Sequence, residues 1–401
     1  MPAEILASIT EIAAQEWNAL AGDRWPFLRH EFLAAAETSG SVSVATGWQP
    51  CHIVLRDESG VLRAAMPLYE KTHSWGEFVF DWAWAQAYHR VGIDYYPKLV
   101  SAVPFTPAPC RKLLLADPGD AESARQLIEA ALQLAADRHC SSLHLQFVDP
   151  PETGTLAASG MLLRKDCQFH WHNRGYRDFD EFLASFSSAK RRKARQDRRY
   201  VAEQGISFRW LDGGQIDAET WASVYELIGS TFQRHGSMPY FNLPFFTELS
   251  RQLPEQTLLV IAERERKMIA AAVFYVSATT LYGRYWGADA EYNALHFETC
   301  YYQGIDYCIG HGIQRFEPGT QGEHKISRGF LPVTTWSAHW LANRRFADAI
   351  SRYLDSEQRH VEQYMALVEN HSPYRDASGT DLNTGARVQP DRGKMHKSGG
   401  T

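Results

Sequence analysis

The sequence predicts a mixed α/β (α+β mixed sheet) protein made of two similar units in tandem. Alternating apolar residues indicate strands, and apolar residues three and four positions apart indicate helices. The order strand, turn, strand, further strand, helix, strand occurs once in each half of the chain. A length of 401 residues exceeds what one hydrophobic core usually supports, which also favours two domains.

The first unit is predicted to span residues 1–165. CHIVLRDESGVLRAAMPLYE (51–70) is typical of a strand, a turn and a second strand, and EFVFDWAW (77–84) indicates an aromatic strand. ESARQLIEAALQLAADRHCSSLHLQFVD (122–149) then predicts an amphipathic helix followed by a strand.

The second unit, residues 166–375, repeats this order. TLLVIAERERKMIAAAVFYV (257–276) predicts the hairpin and TLYGRYWG (280–287) the next strand. A helix is expected from about His296 to His311, and a strand from Gln314 to Glu317. The tail, residues 376–401, has almost nothing apolar to bury and is expected to be disordered.

A strongly basic helix is predicted at 187–204, near the start of the second unit. Glycine is favoured just past a helix end, so Gly205 is a plausible stop. The run suggests contact with the phosphates of a nucleic acid or a phosphorylated ligand, while a solvated helix paired with acidic neighbours is the structural alternative. The residues expected to contact phosphate are Lys190, Arg191, Lys193, Arg195 and Arg199.

Composition and charge limit the classes of function. A formal net charge of -6 argues against a protein that coats nucleic acid over its whole surface, but leaves room for one basic patch. Six cysteines without a CxxC pair favour reduced thiols over disulfides or structural zinc. We expect a cytoplasmic protein without a membrane span, since the sequence shows neither a signal peptide nor an apolar run of about 18 residues.

A polar pocket is predicted within residues 281–330, where Arg, His, Glu, Tyr and Lys are concentrated. Ligands of open α/β sheets bind just beyond the carboxyl ends of strands. A catalytic site there needs a base, a donor for developing negative charge and groups that align the substrates. The catalytic candidates are Glu323, His324 and Lys325 first, then Glu298 and His296.

Further residues are candidates for binding substrate. Glu323, His324 and Lys325 follow Gly322 in an expected loop, which would let all three side chains face a ligand. A buried network that caps the helix is an equally good interpretation of His296 and Glu298, and the spacing favours no metal site. The substrate-binding candidates are Arg284, Tyr282, Tyr301, Glu317, Gln321, Arg328, Lys98 and Tyr96.

Six motifs and the basic helix together are distinctive. The motifs are YYPKL (95–99), VPFTPAP (103–109), FHWHNRGY (169–176), LYGRYWG (281–287), LHFETCYYQ (295–303) and GEHKISRGF (322–330). With these features the chain, from about Trp82 to Tyr364, resembles the FemAB-like predicted N-acyltransferases. The resemblance implies a tandem pair of GNAT (acyl-CoA N-acyltransferase)-like domains, kinship with enzymes that transfer amino acids from aminoacyl-tRNA, and a cell-wall precursor or small molecule as the amine acceptor.

One departure bears on the acyl donor. Common acetyltransferases hold the pyrophosphate of coenzyme A with a Q/R-x-x-G-x-G/A turn at a helix N-terminus. The corresponding segments, ALHFETC (294–300) and DPGDAESA (117–124), lack that spacing. We therefore expect aminoacyl-tRNA as donor; an acyl-CoA-dependent N-acetyltransferase and a non-catalytic module that binds RNA or a phosphorylated precursor are the alternatives.

Overall fold

A computed structural model of the chain describes residues 2–320 and 322–375. Gln321 and the predicted tail, 376–401, therefore lie outside the described residues. The elements of the first part are β1 (Ala3–Leu6), α1 (Ala14–Ala21), α2 (His30–Thr38), β2 (Trp48–Pro50), β3 (His52–Arg56), β4 (Leu62–Met66), β5 (Tyr69–Lys71), α3 (Trp82–Arg90), β6 (Lys98–Ser101), β7 (Leu114–Leu115), α4 (Ala121–Asp137), β8 (Ser142–Val148) and α5 (Thr153–Ala158).

A π-helical turn, Glu298–Tyr302, joins two helices of the second part, and a 3-10 turn, Glu323–Arg328, precedes its last strand. The other elements are β9 (Leu162–His172), α6 (Phe179–Ala184), α7 (Ser188–Glu203), β10 (Ile206–Asp212), α8 (Ala218–Arg234), α9 (Leu243–Gln252), β11 (Thr257–Arg264), β12 (Lys267–Val276), β13 (Thr280–Ala288), α10 (Leu295–Phe297), α11 (Gln303–Gly310), β14 (Arg315–Glu317), β15 (Leu331–Leu341) and α12 (Arg344–Glu369).

The strands form one large and one small sheet. The large sheet has the order β10-β11-β12-β13-β14-β9-β15-β8-β6-β5-β2, and the small one β1-β3-β4-β7. In the first half β6 and β8 are parallel and α4 connects them; in the second half β13 and β14 are parallel and α10–α11 connect them. The predicted duplication is therefore present as two β-α-β units within a mixed sheet.

The two halves exchange strands. β9 pairs with β14 of the second half and with β15, while β15 pairs with β8 of the first half. The domain boundary expected between residues 165 and 166 falls inside β9. An aromatic core also links the halves, because the ring of Phe32 lies 5.9 Å from Tyr275 and 5.3 Å from Phe245.

Most predicted elements are present, with one clear correction. The aromatic strand expected in 77–84 is wrong, because Trp82–Arg90 form helix α3. Trp84 and Tyr88, four residues apart, are its buried positions and pack toward β8, β15 and α12. The basic helix is confirmed as α7, and Gly205 follows it with φ of +71°, a conformation that glycine adopts without strain.

Candidate active site

The site lies where β13 and β14 separate. Their parallel pairing ends with Tyr282 opposite Glu317, after which β14 stops and β13 continues to Ala288. On its other side β13 carries a β-bulge, since Phe274 pairs with Gly283 but Val273 pairs with Tyr285. Arg284 is the extra residue, and a bulge of this kind redirects a side chain.

One face of these strands collects buried polar side chains. Tyr275 pairs with Tyr282, which pairs with Glu317, and directly paired residues project to the same side of a sheet. Phe27 from the first half covers this face: its ring lies 4.8 Å from that of Tyr282 and 4.9 Å from the Arg284 guanidinium. The face is therefore buried where the two halves meet, and we call the region between this face and Phe27 the crevice.

Arg284 and Glu317 are incompletely paired in this crevice. Arg284 donates through Nη1 to the Gly283 carbonyl at 2.9 Å, but its Nε and Nη2 are buried without a partner in the described part of the chain. Glu317 is 2% exposed, and neither of its carboxylate oxygens accepts a hydrogen bond there. Burial raises the pKa of Glu317. Arg315 Nε forms an ion pair with Glu317 Oε1 at 3.0 Å, but the two atoms are not aligned for a hydrogen bond.

Lys325 points inward from the Glu323–Arg328 turn. Its Nζ donates to the Gly319 carbonyl at 2.7 Å, and the residue is 2% exposed. Burial, together with the positive charge of Arg284, lowers the pKa of Lys325 to about 7. A lysine that is half neutral near pH 7 can exchange protons with a reacting amine.

The loop expected at Glu323, His324 and Lys325 is a 3-10 turn, so these side chains diverge and do not face one ligand. Glu323 accepts a hydrogen bond from the Tyr364 hydroxyl at 3.0 Å and lines a separate cleft of about 410 Å³ between β9 and α12. The side chain of His324 instead turns toward the helix that follows β13.

His324 belongs to a ring cluster. Its Nε2 lies 2.9 Å from the Tyr301 hydroxyl. The His296 ring lies 5.3 Å from that of Tyr301 and 6.1 Å from that of His324. Burial lowers the pKa of His296 to about 4, so its imidazole is neutral at physiological pH. The structure thus brings together the three ring residues that the sequence singled out.

A buried carboxylate, Asp197, connects helix α7 to the turn. It accepts hydrogen bonds from the Tyr302 hydroxyl at 3.0 Å and from Arg328 Nη2 at 3.2 Å, and it pairs with Lys193 at 2.9 Å. Arg328 also donates to the His324 carbonyl at 2.7 Å. The position of the turn is therefore coupled to the basic helix.

Three candidates lie away from the crevice. Glu298 pairs with Arg198 of α7 at 3.2 Å and accepts from Gln303 at 2.8 Å. Lys98 is fully buried in the first half, and the Tyr96 hydroxyl lies 2.9 Å from that of Ser74 there. Substrate binding by Lys98 and Tyr96 stays a prediction.

Several residues of the site were not singled out by sequence. Tyr275 and Arg315 share the polar face, and Phe27 covers it from a segment about 250 positions away in the chain. Asp197 could have been identified from the sequence. It is the one acidic residue among the seven cationic residues of this run, which makes it a candidate for an ion pair inside the protein. Alternation along β12 could have added Tyr275 to the candidate residues, but only the strand pairing shows that it lies beside Tyr282.

Known structures share this fold. FemX aligns with a TM-score of 0.53 at 12% identity, over 88% of this chain and 100% of that one. The C-terminal domain of a candidate lysylphosphatidylglycerol synthetase from Agrobacterium fabrum aligns with a TM-score of 0.51 at 11% identity, over 86% and 97%. A tandem GNAT protein from the clavulanic acid biosynthesis pathway reaches 0.44 at 12% identity, over 85% and 98%. No curated protein matches the chain.

The fold is tandem GNAT-like, and family membership makes the protein an acyltransferase. The FemAB-like family, described as peptidoglycan biosynthesis/recognition, matches residues 8–376. The chain belongs to this family. None of the helices in the described part of the chain combines the length and apolar character that a membrane span requires.

Proposed function

We propose that this protein transfers an aminoacyl group from aminoacyl-tRNA to an amine, with a peptidoglycan precursor as the acceptor. The family description supports the acceptor class. The observation that carries the donor class is the basic face of α7, because it is exposed and is tied to the crevice through Asp197 and Arg328.

The basic face has the properties of a polyanion contact. Lys193, Arg195 and Arg199 have side chains that are 58%, 59% and 64% exposed, and each pairs with a single carboxylate. No carboxylate of the described residues lies within ion-pair distance of Lys190 or Arg191. The pairs of Arg195 with Asp180 and of Arg199 with Glu203 are exposed and worth little, so phosphates can replace these two carboxylates at low cost. Asp197, the partner of Lys193, is buried and keeps its bonds to Tyr302 and Arg328 if Lys193 turns to a phosphate.

The crevice supplies groups for the chemistry. The acceptor nitrogen attacks the ester carbonyl carbon, an amide C–N bond forms and the ester C–O bond to the tRNA ribose breaks. Neutral Lys325 takes the proton that the amine loses, and a proton returns to the leaving ribose oxygen. The unpartnered Arg284 nitrogens suit the oxygen on which negative charge develops.

Filter binding of total aminoacylated tRNA over a series of salt concentrations tests the donor class. Replacing Lys193, Arg195 and Arg199 by Ala should weaken binding and make the slope of log affinity against log salt less steep by about 2 to 3, since each lost phosphate contact removes about 0.7 to 0.9. The control variant loses the same number of positive charges on other helices. It replaces one exposed arginine in each of α4, α9 and α12 by Ala: Arg125, Arg251 and Arg352. Equal, salt-insensitive affinity in both triple variants contradicts the proposal.

One observation favours an acyl-CoA donor as the second candidate. Ala294 offers no side-chain cap to the helix that follows β13, and uncapped helix amides favour a phosphate; the Leu295 amide is an exception, because it donates to the Tyr292 carbonyl at 3.3 Å. No glycine stands between Gly287 and Gly304, however, and the close approach of pyrophosphate usually uses one. A rise in melting temperature with coenzyme A, without binding of tRNA, would favour this donor.

A further inference from the structure

The floor of the crevice concentrates unpaired polar atoms. Seven buried side-chain atoms there have no hydrogen-bond partner in the described part of the chain: Tyr275 Oη, Tyr282 Oη, Arg284 Nε and Nη2, Arg315 Nε, and both carboxylate oxygens of Glu317. Buried polar groups are paired in the large majority of cases, so such a group of exceptions needs a ligand or water to complete it. The set includes donors and acceptors.

The acceptors restrict what the ligand is. Glu317 is 2% exposed and forms an ion pair with Arg315, whose Nε lies 3.0 Å from Oε1. Arg315 does not complete the carboxylate, because its Nη2 donates to the Thr280 hydroxyl at 3.1 Å and its Nε is not aligned for a hydrogen bond. Both carboxylate oxygens are therefore left to accept hydrogen bonds from a ligand, and a charged donor makes the strongest ones.

The hydrogen-bond donors of Arg284 lie beside Glu317. Arg284 Nη1 is 3.5 Å from the Glu317 backbone carbonyl, and its other two nitrogens have no hydrogen-bond acceptor among the described residues. A ligand that completes both groups carries a cation and a carbonyl oxygen close together. In an α-aminoacyl ester a single carbon separates the ammonium from the carbonyl. An acetyl group has no hydrogen-bond donor and would leave both carboxylate oxygens of Glu317 without one.

We infer that Glu317 binds the free α-ammonium of the aminoacyl donor, while Arg284 binds the carbonyl oxygen of the same group. The inference rests on the proposed function, which it deepens, since it names an α-aminoacyl group with an unblocked amine as the donor. It predicts that the enzyme rejects donors whose amine has been acetylated.

The test compares three forms of one tRNA pool: aminoacylated, aminoacylated then N-acetylated, and deacylated. Wild type should bind the aminoacylated pool at least about tenfold more tightly than the N-acetylated pool. Glu317→Gln should bind both equally, with unchanged affinity for deacylated tRNA. Glu323→Gln is the control, because that carboxylate lies outside the crevice, and it should retain the wild-type preference.

Two results would overturn the inference while leaving tRNA as donor: equal binding of both acylated pools by wild type, or an intact preference in Glu317→Gln. The first needs no variant, so misfolding cannot confuse it. If no tRNA binds, amides of glycine, alanine, serine and lysine replace it, each compared with its N-acetyl derivative by thermal shift. A shift by a free amide that Glu317→Gln abolishes supports the crevice assignment, and no shift by any of them refutes it.

Discussion

Lys98→Met should destabilise the protein strongly, although Lys98 lies far from the basic helix. Its Nζ donates to Ser74 at 2.8 Å, to Glu77 at 2.9 Å and to Asp81, all inside the first half. Both carboxylates are buried. Methionine fills a similar volume, so the change removes the charge and leaves the packing nearly intact.

The expected loss of stability follows from the carboxylates that pair with Lys98. Removing one member of a buried ion pair costs about 3 to 5 kcal/mol, because the other charge is left uncompensated. Burial raises the pKa of Asp81, but Lys98 outweighs burial and lowers the pKa from 3.8 to about 2. A shift of this size corresponds to about 2 kcal/mol, present above about pH 4 and lost as the pH falls through 2. Asp81 alone thus accounts for about half of the expected loss.

Urea unfolding followed by circular dichroism measures the loss. Lys267→Met is the control, since Lys267 is 76% exposed and pairs with Asp289 at 3.6 Å, and it should cost less than about 1 kcal/mol. Burial already raises the pKa of Glu77, and without Lys98 the pKa values of both Glu77 and Asp81 rise. Their penalty should therefore shrink from pH 7 to pH 5 as they take up protons. A loss below about 1 kcal/mol, or one equal at both pH values, would refute the reasoning.

Two further predictions concern the second half. Gly287→Ala should cost at least about 3 kcal/mol in urea unfolding, because a Cβ there would lie 2.1 Å from the Leu227 carbonyl carbon of α8, whereas Gly310→Ala, with nothing within 4 Å, should gain up to about 1 kcal/mol; equal stabilities would contradict this. In a transfer assay, kcat/KM should rise about tenfold per pH unit below 7 and level off above, since neutral Lys325 is the base and burial lowers its pKa to about 7. Lys325→Arg should abolish transfer at every pH tested, and an unchanged pH profile in that variant would exclude Lys325 as the base.

Local pattern predicts much of this fold. Alternation predicted the β11–β12 hairpin, and spacing of three and four predicted α4 and α7. It failed at 77–84, where a Trp-Ala-Trp alternation imitates a strand while the burial of Trp84 and Tyr88 follows helical spacing. The exchange of β9 and β15 between the halves was not predictable, because it depends on pairing between residues about 170 positions apart.

The candidate site was predicted in part for the same reason. Arg284, Tyr282 and Glu317 meet as expected, because parallel strand ends bring residues of one unit together. The turn at Glu323–Arg328 was expected to be open, since nothing in GEHKISRGF signals that Lys325 would turn inward to a carbonyl. Phe27 could not be assigned, because the cover of a crevice depends on how distant segments pack.

The two halves satisfy their buried charges differently. Each half contains a parallel strand pair joined by a helix. In the first half Lys98, the first residue of β6, donates to three side-chain oxygens of its own unit. In the second half Arg284 and Glu317 keep atoms without a hydrogen-bond partner in the described part of the chain, under a cover that the first half supplies. The buried lysine of the first half is thus matched within the protein, whereas the inferred ligand completes the groups of the second half, and strand exchange through β9 and β15 holds the two halves together.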